Sequence, residues 1–168
     1  MNRLTINFLC FFVFFGVFSQ ELPPLQNYSP DLYNAGSQNW DISQNSSGVI
    51  YAANNEGLLS YDGNHWRLYP SPNKSILRSV HVHNNIIYSG AYMDFGYWKP
   101  TAEGNLEYFS IVQDLGFKMV EEEQVWKISH YKQFIIFQSL NRLIIYNQIT
   151  NSINTLKPKN DVVIKSYY

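Results

Sequence analysis

Gly48-Val49-Ile50-Tyr51-Ala52-Ala53-Asn54-Asn55-Glu56-Gly57-Leu58-Leu59-Ser60-Tyr61-Asp62-Gly63 is the stretch that decides the fold. It holds two short runs of aliphatic and aromatic residues, parted by Asn, Glu and Gly and closed by Asp62-Gly63. Such residues pack well on a pleated surface and favour strands. Asp-Gly after a strand is a hairpin signal, because both residues tolerate the left-handed backbone of a tight turn. The stretch reads strand, turn, strand, turn.

The same material recurs on either side. Asn85-Ile86-Ile87-Tyr88-Ser89-Gly90 and Gln133-Phe134-Ile135-Ile136-Phe137-Gln138 repeat the first run. Tyr51, Tyr88 and Phe137 each follow an Ile and stand 37 and 49 residues apart. A further Tyr comes ten, nine and nine residues later, at Tyr61, Tyr97 and Tyr146. Trp40 and Trp126 precede the first and third marks by eleven residues, and the middle copy has Leu77 there. Further strands are predicted at residues 66–69, 106–110 and 153–156, with Glu103-Gly104-Asn105 as another turn. Each copy is then about four strands in ~40 residues, the size of a propeller blade. A lone sheet cannot bury both faces, whereas stacked sheets bury each other's. The expected fold is all-β, a partial β-propeller of about three four-stranded blades near residues 40–70, 77–111 and 126–157. A β-sandwich with coincidental spacing is the competing fold. Residues 112–124 have room for a turn or two of helix, and the Glu121–Glu123 run reads as a solvated loop.

Composition narrows the function. The chain has 168 residues, 15% charged and 17% aromatic, enough apolar material for one packed domain. A net charge of −1 gives no basic footprint for nucleic acid. A single Cys, Cys10, excludes an internal disulfide and a Cys-based zinc site. Residues 1–19 read as a signal peptide, with Arg3 ahead of an apolar run over residues 8–18. Cleavage is expected between Ser19 and Gln20, leaving residues 20–168 as an incomplete propeller sensor region. An anchor helix that is never cut is the competing reading of the same residues.

The candidates for chemistry are sparse. Trp40, Tyr51, Tyr61, Tyr88, Tyr97, Trp126, Phe137 and Tyr146 recur at blade spacing, and recurrence marks packing. Asn54, Asn55, Gly57, Asp62 and Gly63 sit where turns need them. His81-Val82-His83 puts two imidazoles on one face of a strand, but no third ligand follows by spacing. His65 and His130 stand apart from them in the sequence. No nucleophile motif and no phosphate-binding glycine loop is present. No catalytic residue, metal site or cofactor is assigned, and no ligand-binding residue is nominated; the chain is read as not an enzyme.

The string from Asn39-Trp40-Asp41-Ile42-Ser43-Gln44 to Asp62-Gly63 resembles the two-component-regulator propeller repeat. Ile76-Leu77-Arg78-Ser79-Val80 with Ile87-Tyr88-Ser89-Gly90 resembles the start of the next copy, and Tyr92 to Trp98 and Phe137 to Leu140 add to the match. Together they resemble the N-terminal sensor region of a Bacteroidetes membrane-bound transcriptional regulator of the LuxR type or a hybrid sensor kinase. That resemblance implies an exported propeller followed by a three-tyrosine β-sandwich, a membrane helix and a cytoplasmic output. The chain therefore reads as the amino-terminal piece of a longer regulator. Its expected role is an extracytoplasmic ligand-sensing module at the periplasmic face of the inner membrane. The expected partner is an extracellular small molecule or glycan, with membrane contact only through a downstream segment and a homodimer of the longer protein. The alternative is a secreted propeller enzyme or glycan-binding protein without signalling output.

Overall fold

The structure is a computed structural model that describes residues 25–72 and 74–158. The signal-peptide reading of residues 1–19 and the cleavage after Ser19 lie outside the described residues. After a single turn of helix, α1 (Pro30–Tyr33), twelve strands follow in three groups of four. The first group is β1 (Asn39–Gln44), β2 (Ile50–Asn54), β3 (Gly57–Tyr61) and β4 (Trp66–Pro70). The second is β5 (Leu77–His83), β6 (Ile86–Ala91), β7 (Phe95–Pro100) and β8 (Leu106–Ser110). A short helix, α2 (Ile111–Asp114), precedes the third: β9 (Lys127–Tyr131), β10 (Phe134–Gln138), β11 (Leu143–Asn147) and β12 (Ser152–Leu156).

Each group forms an antiparallel sheet in chain order, so each is a meander. The first strands lie side by side, β1 along β5 and β5 along β9. They form the inner rim of a partial β-propeller of three four-stranded blades. The β3–β4 turn follows the sequence signal: Gly63 has φ +98°, and the Asp62 carboxylate accepts the N–H groups of Asn64 and His65. Those bonds hold the Asp62 carboxyl below its ordinary range. Helix α2 is capped by the Ser110 hydroxyl, which accepts the Gln113 N–H.

Two buried layers hold the blades together. Between the first and second blades lie Tyr51, Ala53 and Leu58 on one side and Val80, Ile87 and Trp98 on the other. Between the second and third lie Tyr88 and Phe95 against Ile135, Phe137, Ile144 and Tyr146. The far face of the first blade is covered from outside the sheet: Tyr33, Tyr28 and Ala35 pack with Ala52, Leu59, Trp66 and Leu68. Neither α1 nor this aromatic cover is anticipated by the strand pattern.

Strand register corrects the repeat marks. Asp41 faces Ala53, Ser79 faces Gly90, and Lys127 faces Gln138. Counted from these pairs, Tyr51 and Tyr88 are equivalent, and their partner in the third blade is Ile136. Phe137 is instead equivalent to Ala52 and Ser89 and points to the opposite face, where its ring meets Tyr88 at 6.2 Å. The cause is the first hairpin. The β1–β2 connection is an Asn45-based turn that accepts the Ser47 and Val49 N–H groups, one residue longer in net register than its counterparts. With a side-chain period of two, one residue of slip reverses the face. Likewise Tyr61 and Tyr146 are equivalent to Trp98, whereas Tyr97 lies directly across from Tyr88. Trp98 is buried, and its Nε1 donates to Ser89 Oγ at 2.8 Å.

Candidate functional site at the axial end of the inner strands

The strand register breaks in β1 between Asn39 and Asp41 and in β5 between Leu77 and Ser79. An extra residue is accommodated at Trp40 in one and Arg78 in the other. A bulge of this kind re-aims a side chain and bends the strand. Trp126, one residue before β9, is the third equivalent; its N–H donates to Gln138 O at 2.8 Å. The true counterpart of the two tryptophans in the middle blade is therefore Arg78, and Leu77 instead fills the buried layer between blades.

The three blades bring these residues together. The Trp40 and Trp126 rings meet edge to face at 6.2 Å. The Arg78 guanidinium carbon lies 3.9 Å from the Trp40 ring centre and 4.9 Å from that of Trp126. Arg78 Nε donates to Gln124 Oε1 at 2.9 Å, and Trp40 Nε1 donates to Asn55 Oδ1 at 2.8 Å. Each tryptophan keeps 37% of its surface exposed. The cluster is a planar cation held between two part-exposed indoles, a cation–π arrangement.

Loops between second and third strands gather at the same end. Asn55 belongs to the β2–β3 turn. Tyr92 pairs with Gln124, and the Met93 N–H donates to Glu123 O at 2.8 Å. Leu140 and Asn141 of the β10–β11 turn line a cleft of about 90 Å³ with Trp126. Below it, Glu123 is 4% exposed and takes two hydrogen bonds from Arg142, Nε at 2.8 Å and Nη2 at 2.5 Å. Burial opposes its charge, but Arg142 and the Val120 N–H outweigh that and hold its carboxyl below the ordinary value. The Glu121–Glu123 run is thus not wholly a solvated loop: Glu123 is the buried anchor of the segment that delivers Trp126.

The opposite end of the inner strands carries imidazoles. His81 Nε2 and His130 Nδ1 share a hydrogen bond at 2.8 Å across the second and third blades. The His83 ring stacks on His130 at 3.9 Å. His130, isolated in the sequence, is thus brought against both. Burial, then His130 and then His83, lower the His81 pKa to about 4. Among the described residues no group of three or more His, Cys, Asp or Glu side chains could hold a metal ion. Nor is any helix among them long and apolar enough to cross a membrane.

No family model matches the chain, and no curated protein matches it. Solved structures share its fold. The extracellular domain of BT4673 from B. thetaiotaomicron, described as a hybrid two component system, aligns at 19% identity and TM-score 0.53, over 70% of this chain and 15% of that one. A second structure of that domain, described as a one component system, aligns at 19% identity and TM-score 0.52, over 74% and 17%. Virginiamycin B lyase from Staphylococcus aureus aligns at 13% identity and TM-score 0.59, over 77% and 44%. At these identities the likeness is one of fold. The chain spans less than a fifth of the BT4673 domain and under half of the lyase.

Proposed function

We propose that this chain is an extracytoplasmic ligand-sensing module of a signal-transduction or transcription regulator, binding an extracellular small molecule or glycan at the axial cluster. The observation that carries the reading is the convergence of Trp40, Arg78 and Trp126 from three blades onto one end of the axis. A site assembled from several blades is sensitive to how those blades sit, which is what a sensor requires. Part-exposed indoles offer flat apolar surface at low entropic cost. The fold likeness to the BT4673 extracellular domains supports the sensing role. In this reading the protein is exported, acts at the periplasmic face of the inner membrane as part of a longer chain, and pairs as a homodimer there.

A second reading, a secreted propeller enzyme or glycan-binding protein, draws on the fold likeness to virginiamycin B lyase. One experiment separates them. The purified chain is titrated with a panel of extracellular saccharides and small organic acids, following tryptophan fluorescence and Tm. The expected result is a ligand that raises Tm without being consumed, its effect lost in Trp40→Ala and Trp126→Ala. A ligand response that survives both substitutions overturns the placement at the axis, and conversion of a titrant to product favours the enzyme.

A further inference from the structure

We infer that the axial site takes an anionic ligand, a carboxylate or sulfate group borne on a ring that the indoles can cover. The inference rests on the reading of the axial cluster as the ligand site and goes on to name the chemistry. Three observations carry it.

The first is the identity of the middle residue. At three register-equivalent positions two are Trp and one is Arg, so the site has two apolar planes and one fixed positive charge between them. The second is the charge balance. Asp41 lies beside Trp40, but its two oxygens accept the N–H groups of Ile42 and Val80. Glu123 lies beside Gln124, but it is taken by Arg142. Glu56 and Glu122 are exposed on the adjoining turns, Glu122 lining the cleft beside Trp126, and among the described residues neither forms an ion pair with Arg78, whose charge is thus left unneutralised. The third is the orphan donor. Arg78 Nε is satisfied by Gln124, whereas Nη1 is buried and has no acceptor. A buried donor without a partner costs free energy, and a bond between a guanidinium and an oxyanion is among the stronger ones available. The guanidinium plane is held by two rings and its Nε by an amide, while Nη1 is closed off from solvent, so an anion meets it by displacing a side chain that covers it.

The consequence is discrimination by charge. A neutral ring gains only the indole surface, and a bare oxyanion gains only Arg78; the ring-borne anion gains both. The test is calorimetry and tryptophan fluorescence on the purified chain with three probes: D-glucuronate, D-glucose and inorganic sulfate. The expected order is glucuronate first, with glucose and sulfate each at least about tenfold weaker. Arg78→Gln is expected to abolish the preference, so that glucuronate binds the variant no more tightly than glucose does. Arg78→Lys keeps the charge without the planar fork and is expected to fall between. Circular dichroism and Tm of each variant report whether the fold is intact. Glucose binding as tightly as glucuronate through Trp40 and Trp126, with Arg78→Gln silent, overturns the anionic ligand and leaves the sensing site standing. Sulfate binding as tightly as glucuronate overturns the role of the indoles. Absence of binding by all three probes, with the panel of the previous section also silent, overturns both.

Discussion

The two layers between blades are built differently. Between the first and second blades the inner strands are joined by side chain to backbone: Asp41 accepts the Val80 N–H and Ser43 accepts the Val82 N–H, each at 3.0 Å. Between the second and third they are joined in part by side chain to side chain, through His81 and His130 at 2.8 Å. The apolar filling differs too. The first layer sets Tyr51 and Trp98 among aliphatic side chains, with Tyr69 and Tyr108 against the Trp98 ring at 6.3 and 5.0 Å, and the second centres on Phe95, which lies 4.4 Å from Phe137 and 5.8 Å from Phe117. The lesson is that one repeat can be joined to its neighbour in different ways. The first seam rests on two backbone donors met by side-chain oxygens; the second has one side-chain-to-backbone bond, Ser79 Oγ to Val125 O, and adds a pair of imidazoles.

The largest test of that contrast is Phe137→Ala. Phe137 is fully buried among Tyr88, Phe95 and Ile135, and its truncation is expected to cost ~3–5 kcal/mol, measured by urea unfolding. Hydrogen exchange should show the third blade loosening more than the first. Equal loosening of all blades would mean that the two layers are not separable. Next is Glu123→Ala, which leaves the Arg142 guanidinium buried without its anion. The expected cost is about 3 kcal/mol, with segment 115–126 losing protection first. A change of a few tenths in the same unfolding assay would show that the pair is dispensable.

Acid should divide the seams. His81 is held at about 4, below the ordinary 6.5, by burial and then by His130 and His83; burial also lowers His83. Between those values the unfolded chain binds more protons than the folded one. This contribution to stability is therefore lost as pH falls from about 6.5 towards 4. Asp41 runs the other way. Burial raises its pKa despite the Val80 and Ile42 N–H groups, so the folded state takes up the proton first and gains as pH falls through that raised value. Exchange measured at pH 7 and pH 4.5 is expected to loosen β5–β9 contacts ahead of β1–β5 contacts. His81→Ser, which copies the equivalent Ser43 and Ser129, should flatten the acid response. The smallest effect is Ser43→Ala, which removes one acceptor from the first seam. It is expected to cost about 1 kcal/mol with no effect on the acid response of the second seam.

The strand runs around Ile50, Ile87 and Ile135 and the turn at Asp62-Gly63 were legible because they are local: residue type and neighbours decide them. Trp40 and Trp126 were matched by residue type, since the eleven-residue spacing that linked them runs to Tyr51 and Phe137, which are not equivalent. Arg78 was not, because a fixed spacing from Tyr88 lands on Leu77 once the first hairpin is a residue longer. Only hydrogen-bond register reveals the offset. Phe137 was displaced by the same arithmetic, whereas Tyr97 was matched as a Tyr one residue short of the register position that Trp98 holds. The Trp–Arg–Trp contact, the meeting of His81 with His130, and the burial of Glu123 by Arg142 are separated by 19 to 86 residues in sequence. No local pattern encodes them. One signal was available: Arg78 is the cation in an otherwise apolar and hydroxylic run, Ile76 to Val80.

The bonds from β1 to β5 bear on more than stability. An inner strand is an edge strand, since its own sheet pairs with it on one side only. Its outward N–H groups are a template on which a foreign strand could add, the ordinary route to aggregation. In β5 two of those donors, on Val80 and Val82, are already occupied by a carboxylate and a hydroxyl from the neighbouring blade. The substitution of side-chain oxygens for a strand's carbonyls satisfies the donors without extending the sheet. The chain can thus set sheet edges side by side around an axis, shielded from intruding strands.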